Sequence, residues 1–332
     1  MSDFDLDQGM LLPPSLDLVI PVYNEEESLP ALFGRLRGLL DRLVDMRVGV
    51  IFVDDHSTDR TPELLRDACL QHENFTCLRL SRNSGSHIAV LAGLAHSWAD
   101  CAVFLAADLQ DPPELIPKML ELWRAGNHVV WAVRERREGI SKTERSLSLV
   151  FYWLMNRFGQ VTFPPTGADF ALLDRQVIDA LQAVSGAKPS IVGAIAWLGF
   201  RQAQIPYVKE ARKFGRSKWD LRKRLEAFAD AFVAFSYVPM RLMSYSGITM
   251  AILGVAYAGL IIILRLFARA PIQGWSSLMV VVLVLGGAQM TMLGVLGEYL
   301  WRTLEESRKR PLYFIESRWS AAVPVSPKEH AE

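Results

Sequence analysis

Four apolar runs of strand length, each stopping at a cluster of polar residues, constrain this chain more than any other feature. "LDLVIPV" (16–22) ends in "PVYNEEES", and "VGVIFVDD" (48–55) ends in "DDHSTD". "TCLRLS" (76–81) ends in "SRNSGSH", and "CAVFLAAD" (101–108) ends in "DLQDPP". A fifth run, "HVVWAV" (128–133), closes the series. Helical patterns lie between them: one near 28–43, one opened by Thr61-Pro62 with proline at the first helical position, "SHIAVLAGLAHSW", and one begun by "PPELIPKML". Continuous apolar strands separated by helices predict a parallel sheet covered on both faces. Ligands bind such sheets beyond the carboxyl ends of the strands, where all four polar clusters lie. Any one of them suits an ordinary turn; four on one rim point to a site.

Several function classes drop out. No GxGxxG follows the first strand and no GxxxxGK[ST] occurs, which argues against a dinucleotide-binding domain and a P-loop NTPase. The formal net charge is zero, so nothing global favours nucleic acid as a partner. Cys69, Cys77 and Cys101 show neither CxxC spacing nor a framework count, and read as buried thiols in a reducing compartment. The start, "MSDFDLDQGM", lacks the basic and apolar regions of a signal peptide, which predicts that it stays in the cytoplasm.

The last third changes character. Residues 242–264 and 270–297 carry no charge, and each stretch exceeds the roughly 20 residues of a spanning helix. Arg212, Lys213, Arg216, Lys218, Arg222, Lys223 and Arg224 precede the pair, and Arg302, Arg308, Lys309 and Arg310 follow it. This bias predicts a transmembrane hairpin with both long flanks cytoplasmic, in a multi-pass protein of the inner membrane. Residues 219–237 read either as an interfacial amphipathic helix against lipid or as a helix packed on the sheet. Gly254 and Ala258 have small-xxx-small spacing, which leaves a homo-oligomer open. The expected division is a tail (1–14), a catalytic domain (15–211), a basic juxtamembrane segment (212–240), two transmembrane helices (241–268 and 274–299) and a C-terminal segment (300–332).

Taken together, "VIPVYNEEESL", "IFVDDHSTDRT", "SRNSGS" and "ADLQDPPE" resemble family 2 glycosyltransferases of the GT-A fold. The likeness continues through "WAVRERREGISKTERSLSLVFYWLMNRF", "GADFALLDRQVIDAL", "GFRQAQIPYVKEARKFGRSKWDLRKRL" and "LGEYLWRTLEESRKRPLYFIESRW", over about residues 15–319. That order is similar to the polyprenyl-phosphate glycosyltransferases, among them dolichyl-phosphate mannosyltransferases and bactoprenol glucosyltransferases.

The resemblance implies an α/β fold with a mostly parallel, doubly wound sheet, and a nucleotide sugar (UDP- or GDP-linked) as donor. Polyprenyl phosphate is the implied acceptor, and the lipid-linked product would serve cell-envelope glycan modification. Pro21, Tyr23, Glu25, Asp54 and Asp55 map to the nucleoside site, with Arg82 and Asn83 on the next loop; His87 reads as structural. The family's DxDxQ motif binds Mg²⁺ or Mn²⁺. Here Ala106 replaces its first acid, leaving Asp108 and Gln110, while Asp111 stands open between a further ligand and a cap or turn residue before Pro112. Arg134 and Arg145 resemble phosphate-binding arginines, Arg212 and Lys218 fall in the basic segment near the acceptor phosphate, and Asp169 lies in a motif that orients acceptor or sugar. A catalytically silent, membrane-tethered nucleotide-sugar binder is the alternative, motivated by Ala106. A processive synthase usually needs more membrane helices and a QxxRW-type motif, which this chain lacks, and a mere scaffold has no reason to gather acids at four strand ends.

Overall fold

The computed structural model describes residues 13–134, 170–183, 191–208, 238–268, 274–308 and 310–321. The five anticipated strands form as β1 (Ser15–Val22), β2 (Arg47–Asp54), β3 (Phe75–Leu80), β4 (Cys101–Phe104) and β5 (Val129–Arg134). Three further strands join them: β6 (Phe170–Asp174), β7 (Gln202–Tyr207) and β8 (Ile315–Ser320). They make one eight-stranded sheet in the order β7-β5-β6-β4-β1-β2-β3-β8. β1 pairs in parallel with both β2 and β4, and β2 with β3. The antiparallel members are β6, inserted between β4 and β5, and β8, added at the outer edge of β3. The sheet is therefore mostly parallel.

Helices α1 (Leu29–Leu40), α2 (Thr61–Gln71) and α4 (Ile116–Arg124) cover one face; α3 (Ser86–Ala95), α5 (Arg175–Ala183) and α6 (Ile191–Trp197) cover the other. In α1 the buried residues are Leu29, Leu32, Leu36 and Leu39, one stripe at helical spacing. α3 buries most of its length, and Gly93 lets it lie close to the sheet. A Cβ there would collide with Val19 and come within 3.0 Å of Val53 Cγ2. Side chains alternate across each strand, so Leu18 and Ile20 feed one core while Val19 feeds the other. The three cysteines are free and buried, and burial pushes the Cys69 thiol up to about 12.

Chain order runs outward from β1 to β2 and β3, then returns to β4 on the other side. This reversal falls between β1 and β4, and open α/β sheets usually bind their ligands in the crevice at the carboxyl ends of such a strand pair.

Two long helices, α7 (Val238–Ala268) and α8 (Trp275–Ser307), form where the sequence carries its uncharged stretches, with Met292 close to Gly247. Among the described residues, no helix is long and apolar enough to cross a membrane. That finding overturns the expected transmembrane hairpin and the multi-pass inner-membrane location drawn from it. Lack of charge is a weaker condition than sustained apolarity. Ser244, Tyr245, Ser246 and Thr249 interrupt the first stretch; Gly286, Gly287 and Gln289 interrupt the second.

Candidate active site

Among the described residues, three non-glycine residues have left-handed backbone: Asn24 (φ 51°), His56 (φ 62°) and Leu109 (φ 62°). One follows each of β1, β2 and β4, so all three stand on the crevice rim. Such a conformation costs an ordinary residue roughly 1–2 kcal/mol and persists where surrounding contacts enforce it.

The enforcement is visible at each turn. Asn24 N–H donates to Ser57 Oγ (2.9 Å), and Asn24 Oδ1 accepts from Thr58 N–H (2.8 Å), so the β1 and β2 loops hold each other. Glu25 N–H donates to Thr61 Oγ1 (2.9 Å), and Glu25 Oε2 accepts from Ser28 Oγ (2.6 Å). His56 Nδ1 lies 3.2 Å from Leu80 O. Leu109 O accepts from Arg35 Nη1 (3.3 Å), and the same guanidinium pairs with Glu114 (2.7 Å). Arg35 thus ties α1 to the turn after β4.

The two acids at the end of β2 are bound within the protein. Asp54 is fully buried; its Oδ1 accepts from Ser57 N–H (2.9 Å) and its Oδ2 pairs with Arg79 Nη1 (2.7 Å). Asp55 Oδ1 and Oδ2 accept from the N–H groups of Ser84 (2.7 Å) and Gly85 (2.8 Å). Desolvation raises the Asp55 pKa above the ordinary carboxylate value, against the opposing pull of those two donors. Both carboxylates fix loop shape: Asp54 sets the β2 turn, and Asp55 holds the loop on which Arg82 and Asn83 stand exposed. Pro21 lies in β1 opposite Val53, with Tyr23 half-buried just beyond the strand. His87 Nδ1 accepts from Ile191 N–H (3.2 Å), anchoring the start of α6, and burial lowers its pKa.

The loop after β4 carries the candidate ion ligands. Leu109 turns its side chain into the core, which leaves Asp108 and Gln110 half-exposed on either side, with Asp108 Oδ1 accepting from Gln110 N–H (3.2 Å). Their donors are a carboxylate and an amide carbonyl, a hard oxygen set suited to Mg²⁺ or Mn²⁺. Among the described residues, no group of three or more His, Cys, Asp or Glu side chains could hold a metal ion. Two such donors fit Mg²⁺ or Mn²⁺ where substrate phosphates and waters supply the rest of the shell. Asp111 is buried, and its Oδ1 accepts from the Tyr207 hydroxyl (2.6 Å). Tyr207 lies opposite Arg134 in the register of β7 and β5, so Arg134 ends its strand beside this pair. Arg145, Asp169, Arg212 and Lys218 lie outside the described residues.

Sequence reasoning missed Arg35, Arg79 and Tyr207. Arg79 has a legible signal: it is the one charge inside the apolar run "TCLRLS". Tyr207 and Arg35 have none, because their partners are 96 and 79 residues away in sequence.

Residues 17–181 match the family model described as glycosyl transferase family 2. The chain is 37% identical over 302 residues to the uncharacterized glycosyltransferase YkcC of Bacillus subtilis, covering 91% of this chain and 93% of that one. It is 32% identical over 303 residues to the bactoprenol glucosyl transferase of Shigella phage SfX, covering 91% of this chain and 99% of that one. The chain belongs to glycosyl transferase family 2. Its sheet and rim are a GT-A-like α/β arrangement, and the protein is a glycosyltransferase of this family. A solved glucosyl-3-phosphoglycerate synthase from Mycobacterium tuberculosis is similar more loosely: 20% identity, TM-score 0.46, and coverage of 67% of this chain and 78% of that one.

Proposed function

We propose that this glycosyltransferase moves a single hexose-type sugar from a UDP- or GDP-linked donor to a polyprenyl phosphate, with inversion at the anomeric carbon. The observation that carries the reading is the similarity, over 91% of this chain, to bactoprenol glucosyl transferases, proteins named for both the lipid and the sugar. The crevice at the ends of β1 and β4 supports it, since it gathers polar side chains where a nucleotide sugar would lie.

In this reading Tyr23 packs on the nucleoside, and Arg82 and Asn83 reach the donor from the neighbouring loop. Asp108 and Gln110 would hold Mg²⁺ or Mn²⁺, and the bound ion would supply Lewis-acid neutralisation of the leaving charge. Arg134 pairs with phosphate oxygens, its planar fork matching two of them at once. Arg145, Arg212 and Lys218 take the acceptor phosphate, and Asp169 orients acceptor or sugar. The acceptor oxygen is already anionic. Its in-line attack forms the new C–O bond as the bond to the diphosphate breaks, so the reaction makes little demand on a general base.

The test incubates purified full-length protein in detergent with undecaprenyl phosphate, Mg²⁺ or Mn²⁺, and a panel of labelled nucleotide sugars. Label entering the organic phase from one donor, lost with EDTA and in Asp108→Ala, is the expected result. Donor binding without any transfer would sink the reading in favour of a silent nucleotide-sugar binder.

A further inference from the structure

The last described strand of the chain reaches the donor side of the sheet through one arginine. Arg79, in β3, donates through Nε to Glu316 Oε2 (2.9 Å), through Nη1 to Asp54 Oδ2 (2.7 Å) and through Nη2 to Ser57 O (3.2 Å). Asp54 is fully buried and the Arg79 side chain is 18% exposed, whereas Glu316 is half exposed on β8. β8 begins only a few residues after α8 and pairs antiparallel with β3. His56, left-handed at the end of β2, faces the same carboxylate at 3.8 Å.

From Arg79 the chain of contacts runs to the crevice without a gap. Asp54 Oδ1 accepts from Ser57 N–H, Ser57 Oγ accepts from Asn24 N–H, and Asn24 Oδ1 accepts from Thr58 N–H. Asn24 lies between Tyr23 and Glu25, the residues of the β1 loop assigned to the nucleoside. A guanidinium with three acceptors, one on β8 and two in the β2 turn, has little freedom to rotate, because its planar fork fixes all of them together. Without Glu316, Arg79 keeps Asp54 but can tilt about that bond, and Ser57 O, at the longest distance, is the contact that loosens.

We infer that Glu316 is a positioning residue for donor binding: β8 uses it to lock Arg79, and Arg79 sets the β2 and β1 loops in their donor-binding shape. The inference rests on the donor-site reading above and adds to it a residue from the far end of the chain. Because Glu316 is half exposed, its own pairing is modest, and the expected loss of donor affinity in Glu316→Gln is about two- to five-fold.

The test uses full-length protein and titrates UDP and GDP separately by calorimetry, with Glu316→Gln, Glu316→Asp and the remote surface control Glu73→Gln. Steady-state transfer and backbone amide exchange are measured on the same samples. Expected are a weaker nucleotide in Glu316→Gln, recovery in Glu316→Asp, no change in the control, and faster exchange at Asn24, Ser57 and Thr58. Donor KM should rise while kcat and acceptor KM stay put. An unchanged donor KM with a lower apparent kcat would mark a smaller folded fraction and overturn the positioning role. So would an unchanged affinity in Glu316→Gln with wild-type protein binding one nucleotide normally. Wild-type protein that binds neither UDP nor GDP would instead bring down the donor-site reading, and this inference with it.

Discussion

Tyr207 donates its hydroxyl to Asp111 Oδ1 across 2.6 Å in a buried contact that joins β7 to the loop after β4. Burial raises the tyrosine pKa above its ordinary value, and the Asp111 charge pushes the same way, so the phenol keeps its proton and stays a donor. Tyr207→Phe removes that donor from a buried carboxylate. The expected cost is about 1–3 kcal/mol in urea unfolding. Adding Asp111→Asn should return part of it, since a neutral amide costs less to bury than a carboxylate.

Leu109 offers a sharper check on the loop. Its side chain is buried while its backbone is left-handed. Leu109→Ala loses the burial and keeps the conformational penalty; Leu109→Gly loses the burial and relieves the penalty. The glycine variant should therefore be the more stable of the two by roughly 1 kcal/mol, the reverse of the order at ordinary positions. Chemical denaturation of the pair decides it, and an alanine variant more stable than glycine would show that the turn does not hold its φ in solution.

Much of this arrangement could be read from the sequence, for a physical reason. β1 to β5 are apolar runs in register with their own burial, and the rim loops announce themselves because a buried strand has no use for acids. "FALLD" and "IESRWS" were illegible as strands. Each is short, and each owes its place to pairing with a distant partner: β6 slots between β4 and β5, and β8 caps the edge of β3. At the site, residue types were legible and their partners were not. Asp54 and Asp55 stand where expected, yet their oxygens face Ser57, Arg79, Ser84 and Gly85, contacts that no local spacing encodes.

Asp108 supports a graded prediction about the ion. With Ala106 in place of the first acid, Asp108 is the one carboxylate of the remaining pair, and Gln110 contributes only a neutral oxygen. Asp108→Asn keeps the shape and removes the charge. Transfer should fall by about 100-fold or more, the usual scale for losing a group that stabilises charge in the transition state. Gln110→Ala should fall less and recover at higher Mg²⁺ or Mn²⁺. Equal losses in the two variants, neither answering to added ion, would remove the ion from the loop.

Asp100 yields a pH prediction with a definite sign. Its Oδ2 accepts from Ser15 N–H (2.8 Å) and Ser15 Oγ (2.7 Å), joining the starts of β4 and β1 beneath the crevice. The Ser15 backbone donor, followed by its hydroxyl, holds the carboxyl pKa below the ordinary aspartate value. A carboxylate with a depressed folded pKa contributes stability that is present above the unfolded pKa and lost as pH falls through the folded one. The site is mostly solvent-exposed, so the contribution is discounted to about 1 kcal/mol, the net worth of a single hydrogen bond. Asp100→Asn should therefore lower unfolding free energy by about that amount at pH 7 and by less as pH drops below about 4, the ordinary carboxylate range. Urea unfolding of both proteins at pH 7 and pH 3.5 measures the difference. A gap that stayed constant across the range would mean that the Ser15 contact draws nothing from the Asp100 charge.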